Sequence, residues 1–445
     1  MKKILLLLLF PVILFAKEFD PDDYEADVEK IIEAATKSNL GYNRLEYLCN
    51  NFPARLSGTP RLERAIDWVF QEMQIDGLDN VRKQEVYVPN WKRNEESAEI
   101  VFPLNYKLSM TGLGGSIATP PEGITAEVVV VRDKDELIRR KDEVRGKIVL
   151  FNAPFTSYGE TVKYRFYGAQ WAAEYGAVAS MIRSTSPVGF DNPHTGVMAY
   201  SDSVTKIPHF AITLEGAELL QRYQDQGIKP VVKVVMNAEM YPDALSHNVM
   251  GEKKGSTKAD EIITVGGHID SWDVGQGAQD DGGGIMSTWE AVRLIKELGL
   301  DNKRTIRSIM WTNEENGSMG GKTYAKDFAQ EKHAMAFEFD SGTFPPLTIS
   351  FNGSPELLEK VKKFEPLLQK INPNIKVTAG GGGADISPLM AVGVPGMSLD
   401  TDDKGEYFWY HHSNADTFDK VDEKDFKQCV AAIAVTIYLY SNLDY

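Results

Sequence analysis

The residues best suited to chemistry fall in four clusters in the second half of the chain. The first, GGHIDSWDVGQGAQDDGGG at 266–284, places His268 and Asp270 two residues apart. On an extended strand both side chains face the same way. An imidazole there can take a metal while a nearby carboxylate sets its tautomer. Asp280 and Asp281 follow in a glycine-rich stretch ahead of a helical pattern, where metal binding and helix capping are equally good readings. The second cluster, WTNEENG at 311–317, carries adjacent Glu314 and Glu315. Adjacent residues in extended backbone face opposite sides, so one can hold a metal while the other faces a water. An isolated pair of this kind otherwise reads as a solvated acidic turn. The third, FEFDSGT at 337–343, offers Asp340, with Glu338 on the same facing as its competitor. The fourth, YHHSNADT at 410–417, offers His411 and His412, which point apart if extended and leave one as a ligand.

Hard oxygen and imidazole ligands without thiolate suit zinc, with manganese or cobalt as lesser options. A carboxylate bridging two ions about 3.5–4 Å apart would make a two-metal hydrolytic site. The chain has only 2 cysteines and 7 histidines, too few thiols for a thiolate zinc module. His194 and His209 lie away from the clusters and read as ordinary loop or core histidines.

The elements that must position these groups alternate from residue 248 onward. Strands are expected at 261–267, 305–312, 334–340 and 396–399, and helices at 284–298, 322–330, 355–370 and 426–440. Such alternation predicts an α/β sandwich with a largely parallel sheet. Sites in such sheets lie beyond the carboxyl ends of the strands, where the polar clusters fall. Upstream, 22–75 reads as helical with a turn at RLSGTP, 55–60, and 84–90 and 96–102 read as strands. The Gly/Pro-rich run 112–123 reads as a hinge, and 120–240 as a β-rich block.

The 445 residues allow two or three domains, and a formal charge of −16 argues against a nucleic-acid-binding role. Residues 1–16, MKKILLLLLFPVILFA, have the basic start, short apolar run and small final residue of an export signal. No later segment is long and apolar enough to span a bilayer, so the remainder is expected to be exported, periplasmic or secreted, and free of the membrane. Cys49 and Cys429 are open to a disulfide or to two buried thiols.

Together with FPARLSGTPRLERAI, PNWKRNEESA, ATPPEGITAEV, RGKIV, IPHFAIT and GVPGMSL, these motifs resemble the di-zinc aminopeptidase and glutamate carboxypeptidase metallopeptidase family, and within it the carboxypeptidase Q-like subfamily. The resemblance runs through most of the chain after residue 16. It implies a three-layer α/β/α sandwich with a mixed, largely parallel sheet, formed by 20–118 and 242–445. The block 119–241 resembles an inserted, β-rich protease-associated domain. It implies two zinc ions per subunit: one held by His268 and Asp340, one by Glu315 and His412, with Asp280 bridging. His412 is preferred because the family's ligand lies four residues before the acid of a (D/E)T pair, here Asp416-Thr417. Glu314 matches the general acid/base and Asp270 the group that orients His268. A cis peptide is implied after Asp280. His411 either steadies an oxyanion or packs. Asp385, beside the glycines 380–383, either meets a substrate amine at the cleft or caps its loop. Short peptides as substrates and a homodimer are implied too. A single-zinc glutaminyl cyclase-like enzyme and a non-catalytic receptor-like relative share the fold. Amino- versus carboxypeptidase preference stays open.

Overall fold

The computed structural model describes residues 19–444, so the expected export signal at 1–16 lies outside the described residues. Among the described residues no helix is long and apolar enough to cross a membrane. The main sheet contains β1 (Asp79–Lys92), β2 (Glu239–Lys253), β3 (Lys258–His268), β4 (Arg304–Trp311), β5 (Lys332–Glu338), β6 (Pro346–Asn352), β7 (Lys376–Ala379) and β8 (Gly396–Thr401). Their order is β1-β2-β4-β3-β5-β8-β6-β7. The central run β4-β3-β5-β8 is parallel throughout, while β1-β2, β2-β4 and β8-β6 are antiparallel. Parallel neighbours need crossovers, here carried by helices Gly283–Glu297 and Met319–Asp327.

Alternation along the strands divides two cores. On β4, Ile306 and Met310 enter a large cluster, and Ile309 and Trp311 a smaller one on the opposite face. Helices Glu25–Lys37, Leu40–Asn51, Pro60–Ile75, Gly283–Glu297 and Glu423–Asn442 cover the first face. Met319–Asp327 and Ser387–Met390 cover the second. This is the expected mixed α/β sandwich in three layers. The expected helix 355–370 is split into Pro355–Lys362 and Glu365–Leu368, because Pro366 brings no N–H to a continuous ladder.

Between β1 and β2 the chain builds a second mixed sheet of eight strands. It uses Glu96–Phe102, Tyr106–Leu108 and Met110–Gly112, ahead of residue 119, and ends at Val231–Met236. Glu96–Phe102 pairs with Val231–Met236, and Met110–Gly112 with His209–Ile212. The glycines expected to form a hinge are therefore anchored, with Gly114 bridged to Val197. Helices Tyr158–Ala173 and Leu214–Asp225 pack on this sheet.

Candidate metal centre

Parallel strands deliver their carboxyl ends to one edge, and the four clusters meet there. β3 ends on His268, β4 runs into Glu314 and Glu315, and β5 into Asp340. Asp280 and Asp281 precede helix Gly283–Glu297, and His411 and His412 follow a one-turn helix, Tyr407–Tyr410. The glycines have a steric reason. A Cβ on Gly267 or Gly284 would lie 2.0 Å from the Asp281 carboxylate. Asp281 accepts the His268 N–H and the Gly284 N–H, each at 3.1 Å, so it is the cap of the pair. Asp280 faces the cluster, and the Asp280-Asp281 peptide is cis.

The carboxylate of Asp280 is shared between two groups. Its Oδ1 lies 3.2 Å from His268 Nε2, and its Oδ2 3.2 Å from His412 Nε2. Asp340 Oδ1 stands 3.7 Å from His268 Nε2, and Glu315 Oε2 3.0 Å from His412 Nε2. His268 Nε2, Asp280 Oδ2 and Asp340 Oδ1 are buried without a hydrogen-bond partner. Buried potential ligand atoms turned on one another are what divalent cations satisfy. These residues therefore fit two ions sharing Asp280. Three sets of potential ligand atoms, Asp280 with His411 and His412, His268 with Asp280 and Glu315, and His268 with Asp281 and Asp340, each lie within 4.8 Å of one another.

The electrostatics agree. Burial, then the Asp280 charge, pushes Glu315 up to about 7. Burial raises Glu314 well above the carboxylate range, with Asp340 and Glu315 adding to it. Although burial opposes both, His268 and His412 hold Asp280 well below that range, and the acids raise both imidazoles. A crowded pocket of acids that draws protons draws cations by the same field.

The other expected residues are placed as follows. Asp270 reaches His268 through its backbone carbonyl, 2.9 Å from Nδ1. Its carboxylate accepts the N–H groups of Glu314 and Glu315 at 3.1 and 3.4 Å. Glu338 does not compete with Asp340, because its Oε2 accepts the Ile386 N–H at 2.9 Å on the far side. Asp385 is 1% exposed with both oxygens unpartnered and is not among the residues lining the cleft. His411 and His412 do not point apart. His412 has φ 59°, which turns the backbone, and the rings stack with centroids 3.6 Å apart. Burial, then the charge of His412, holds His411 well below the usual histidine range. Cys49 and Cys429 are separate buried thiols.

The second sheet supplies residues that the sequence reading did not assign to the site, His194 among them. The His412 carbonyl accepts the Thr195 N–H at 2.9 Å, and His194 pairs in antiparallel register with Ser413. His194 Nδ1 lies 2.6 Å from the His411 carbonyl. Tyr158, Arg165 and Phe166 line a cleft of about 670 Å³ together with Glu314, Asn316 and Tyr407. No local motif marks these residues, since Arg165 and His412 are 247 positions apart.

The sequence profile of peptidase family M28 matches residues 248–437, the span holding all the ligand candidates. The chain belongs to peptidase family M28. Within it, the chain is similar to carboxypeptidase Q. It is 44% identical to the mouse protein over 427 residues, 95% of this chain and 90% of that one. It is 44% identical to the human protein over 408 residues, 91% and 86% of the two chains. A peptidase M28 precursor from Shewanella amazonensis, a solved structure, matches with TM-score 0.92 and 35% identity, covering 96% of this chain and 98% of the other. An aminopeptidase from an Aneurinibacillus species shares the fold, with TM-score 0.66 and 22% identity over 92% and 95% of the two chains.

Proposed function

We propose that this chain is an exported exopeptidase that hydrolyses dipeptides or short peptides with two zinc ions and Glu314 as general base. The observation that carries this reading is the division of one carboxylate, Asp280, between His268 and His412 at 3.2 Å each. His268, Asp340 and Asp280 would hold one ion; Glu315, His412 and the shared Asp280 the other. Zinc, when bound, supplies a Lewis acid for the scissile carbonyl and a more acidic water. Glu314 lines the cleft, takes the proton of the attacking water and returns it to the leaving amine. Asp270 fixes the loop that carries Glu314. His411, stacked on His412, is positioned to steady the developing oxyanion. The reading also takes 1–16 as an export signal, the second sheet as a protease-associated domain and the working unit as a homodimer. The complete ligand set weighs against a one-metal cyclase and a non-catalytic relative.

The test is metal stoichiometry together with turnover. Purified protein with added zinc should hold two ions per chain and hydrolyse members of a panel of dipeptides and N-blocked peptides. A chelator should abolish this reversibly. One ion per chain, or turnover indifferent to chelation, would sink the reading. The panel also decides between amino- and carboxypeptidase preference.

A further inference from the structure

The two imidazoles of the centre have opposite surroundings behind them. His268 Nδ1 donates to the Asp270 carbonyl at 2.9 Å, with the Asp270 carboxylate at 3.8 Å. His412 Nδ1 has the Thr195 carbonyl at 3.4 Å and the Arg165 guanidinium, through Nη1, at 3.3 Å. Thus a carbonyl acceptor backs the first ring and a cation stands behind the second.

Arg165 is 4% exposed. Its Nε donates to the Val197 carbonyl at 3.3 Å and its Nη2 to the Tyr158 hydroxyl at 3.0 Å. No carboxylate pairs with it among the described residues. Gly196, at φ 138°, makes room for it, since a Cβ there would fall 2.2 Å from Nη1. A buried guanidinium without a counter-charge is costly, so its charge must act on its neighbours. With a metal held at Nε2, the His412 proton would belong on Nδ1, facing the Thr195 carbonyl. Arg165 then meets a donor, and the ring cannot neutralise it. A ligand imidazole gains basicity from an acceptor or anion behind it and loses it to a cation. Inside a protein the repulsion between that cation and a bound metal is far stronger than in water.

We propose that Arg165 makes the Glu315–His412 side the weaker of the two metal sites, so that activity follows the filling of that side by free divalent metal. The inference rests on the two-metal reading above. It makes the second sheet a regulator of metal loading, because Arg165 belongs to helix Tyr158–Ala173.

Titrating the metal-free full chain with zinc against a chromogenic chelator, and reading bound zinc per chain, tests this without any activity measurement. The native protein should fill in two steps, the second about tenfold weaker or more. Arg165→Met should tighten the second step by about tenfold and leave the first unchanged. Arg165→Gln, which keeps a polar group toward Tyr158, should do the same, whereas Arg165→Lys keeps the charge and the gap. Lost packing alone would weaken the second step, so the sign of the change separates charge from scaffold. Equal steps in the native protein, or a second step unchanged or weakened in both neutral variants, overturn the proposal. A native protein that binds one ion or none overturns the two-metal reading instead.

Discussion

His268 is steadied by the backbone of Asp270 rather than by its side chain: Nδ1 lies 2.9 Å from the carbonyl oxygen and 3.8 Å from Oδ1. The Asp270 carboxylate instead gathers the N–H groups of Glu314 and Glu315 and the Ser57 hydroxyl, at 3.1, 3.4 and 3.3 Å. One residue thus sets the tautomer of the proposed ligand on β3 and the position of the proposed base beyond β4. Asp270→Ala keeps the carbonyl and strands the two N–H groups, each at a cost of about 1–3 kcal/mol. It should lower kcat roughly 10- to 100-fold through the displaced loop, while the His268 side keeps its metal affinity within about threefold. Zinc competition beside steady-state kinetics checks this; selective loss of the His268-side ion would show that the carboxylate, after all, carries the ring.

Glu314→Gln tests the base directly. The side chain keeps its size and loses its ability to take a proton. Zinc content should be unchanged, KM should shift little, and kcat should fall by roughly 10²- to 10⁴-fold. Retained turnover would remove Glu314 from the mechanism. Asp280→Ala should give the complementary result, with metal lost from both sides because both imidazoles face its carboxylate.

The clusters at 266–284, 311–317, 337–343 and 410–417 were legible because polar residues at the ends of buried β runs have few structural uses. What failed was the assumption of extended backbone within them. The turn at His412, φ 59°, stacks two rings expected to diverge. Asp340 turns to His268 and Glu338 to the Ile386 N–H, although both were expected on one facing. Strand β2 went unread because its first half, EMYPDAL, pairs only with β1 in a largely exposed ribbon and lacks an apolar face. Arg165 and Thr195 were beyond local reading altogether, since their meeting with His412 depends on how the second sheet docks.

The cysteines make a separate prediction. Burial pushes the Cys49 thiol up to about 12 and raises Cys429 well above its ordinary value. Cys429 Sγ also donates to the Phe344 carbonyl at 3.1 Å. Thiolate is the reactive form, so neither should react with a disulfide reagent in the native protein. Unfolding in denaturant without reductant should expose both. Failure to label them then would reveal a disulfide that two separate thiols do not allow.

Acid should weaken the fold through His194 and His209. Burial drives both imidazoles down to about 4, outweighing the carbonyls beside them. In the unfolded chain histidine titrates near 6.5. Between these values the unfolded state binds more protons, so the stabilisation is full above about 6.5 and is lost as the pH falls toward 4. The drop is worth about 3 kcal/mol for each ring. Asp416 and Glu315, each pushed up to about 7 with burial the main cause, titrate nearby with the opposite sign, so the native curve alone mixes these effects. The difference between native protein and His209→Gln isolates one ring, because glutamine is neutral at every pH. Urea unfolding from pH 7 to 4 should show the native protein losing about 3 kcal/mol more than the variant, whatever their stabilities at pH 7. Parallel curves would mean that the three carbonyls around His209 hold its proton in the folded state, and that burial does not decide its charge.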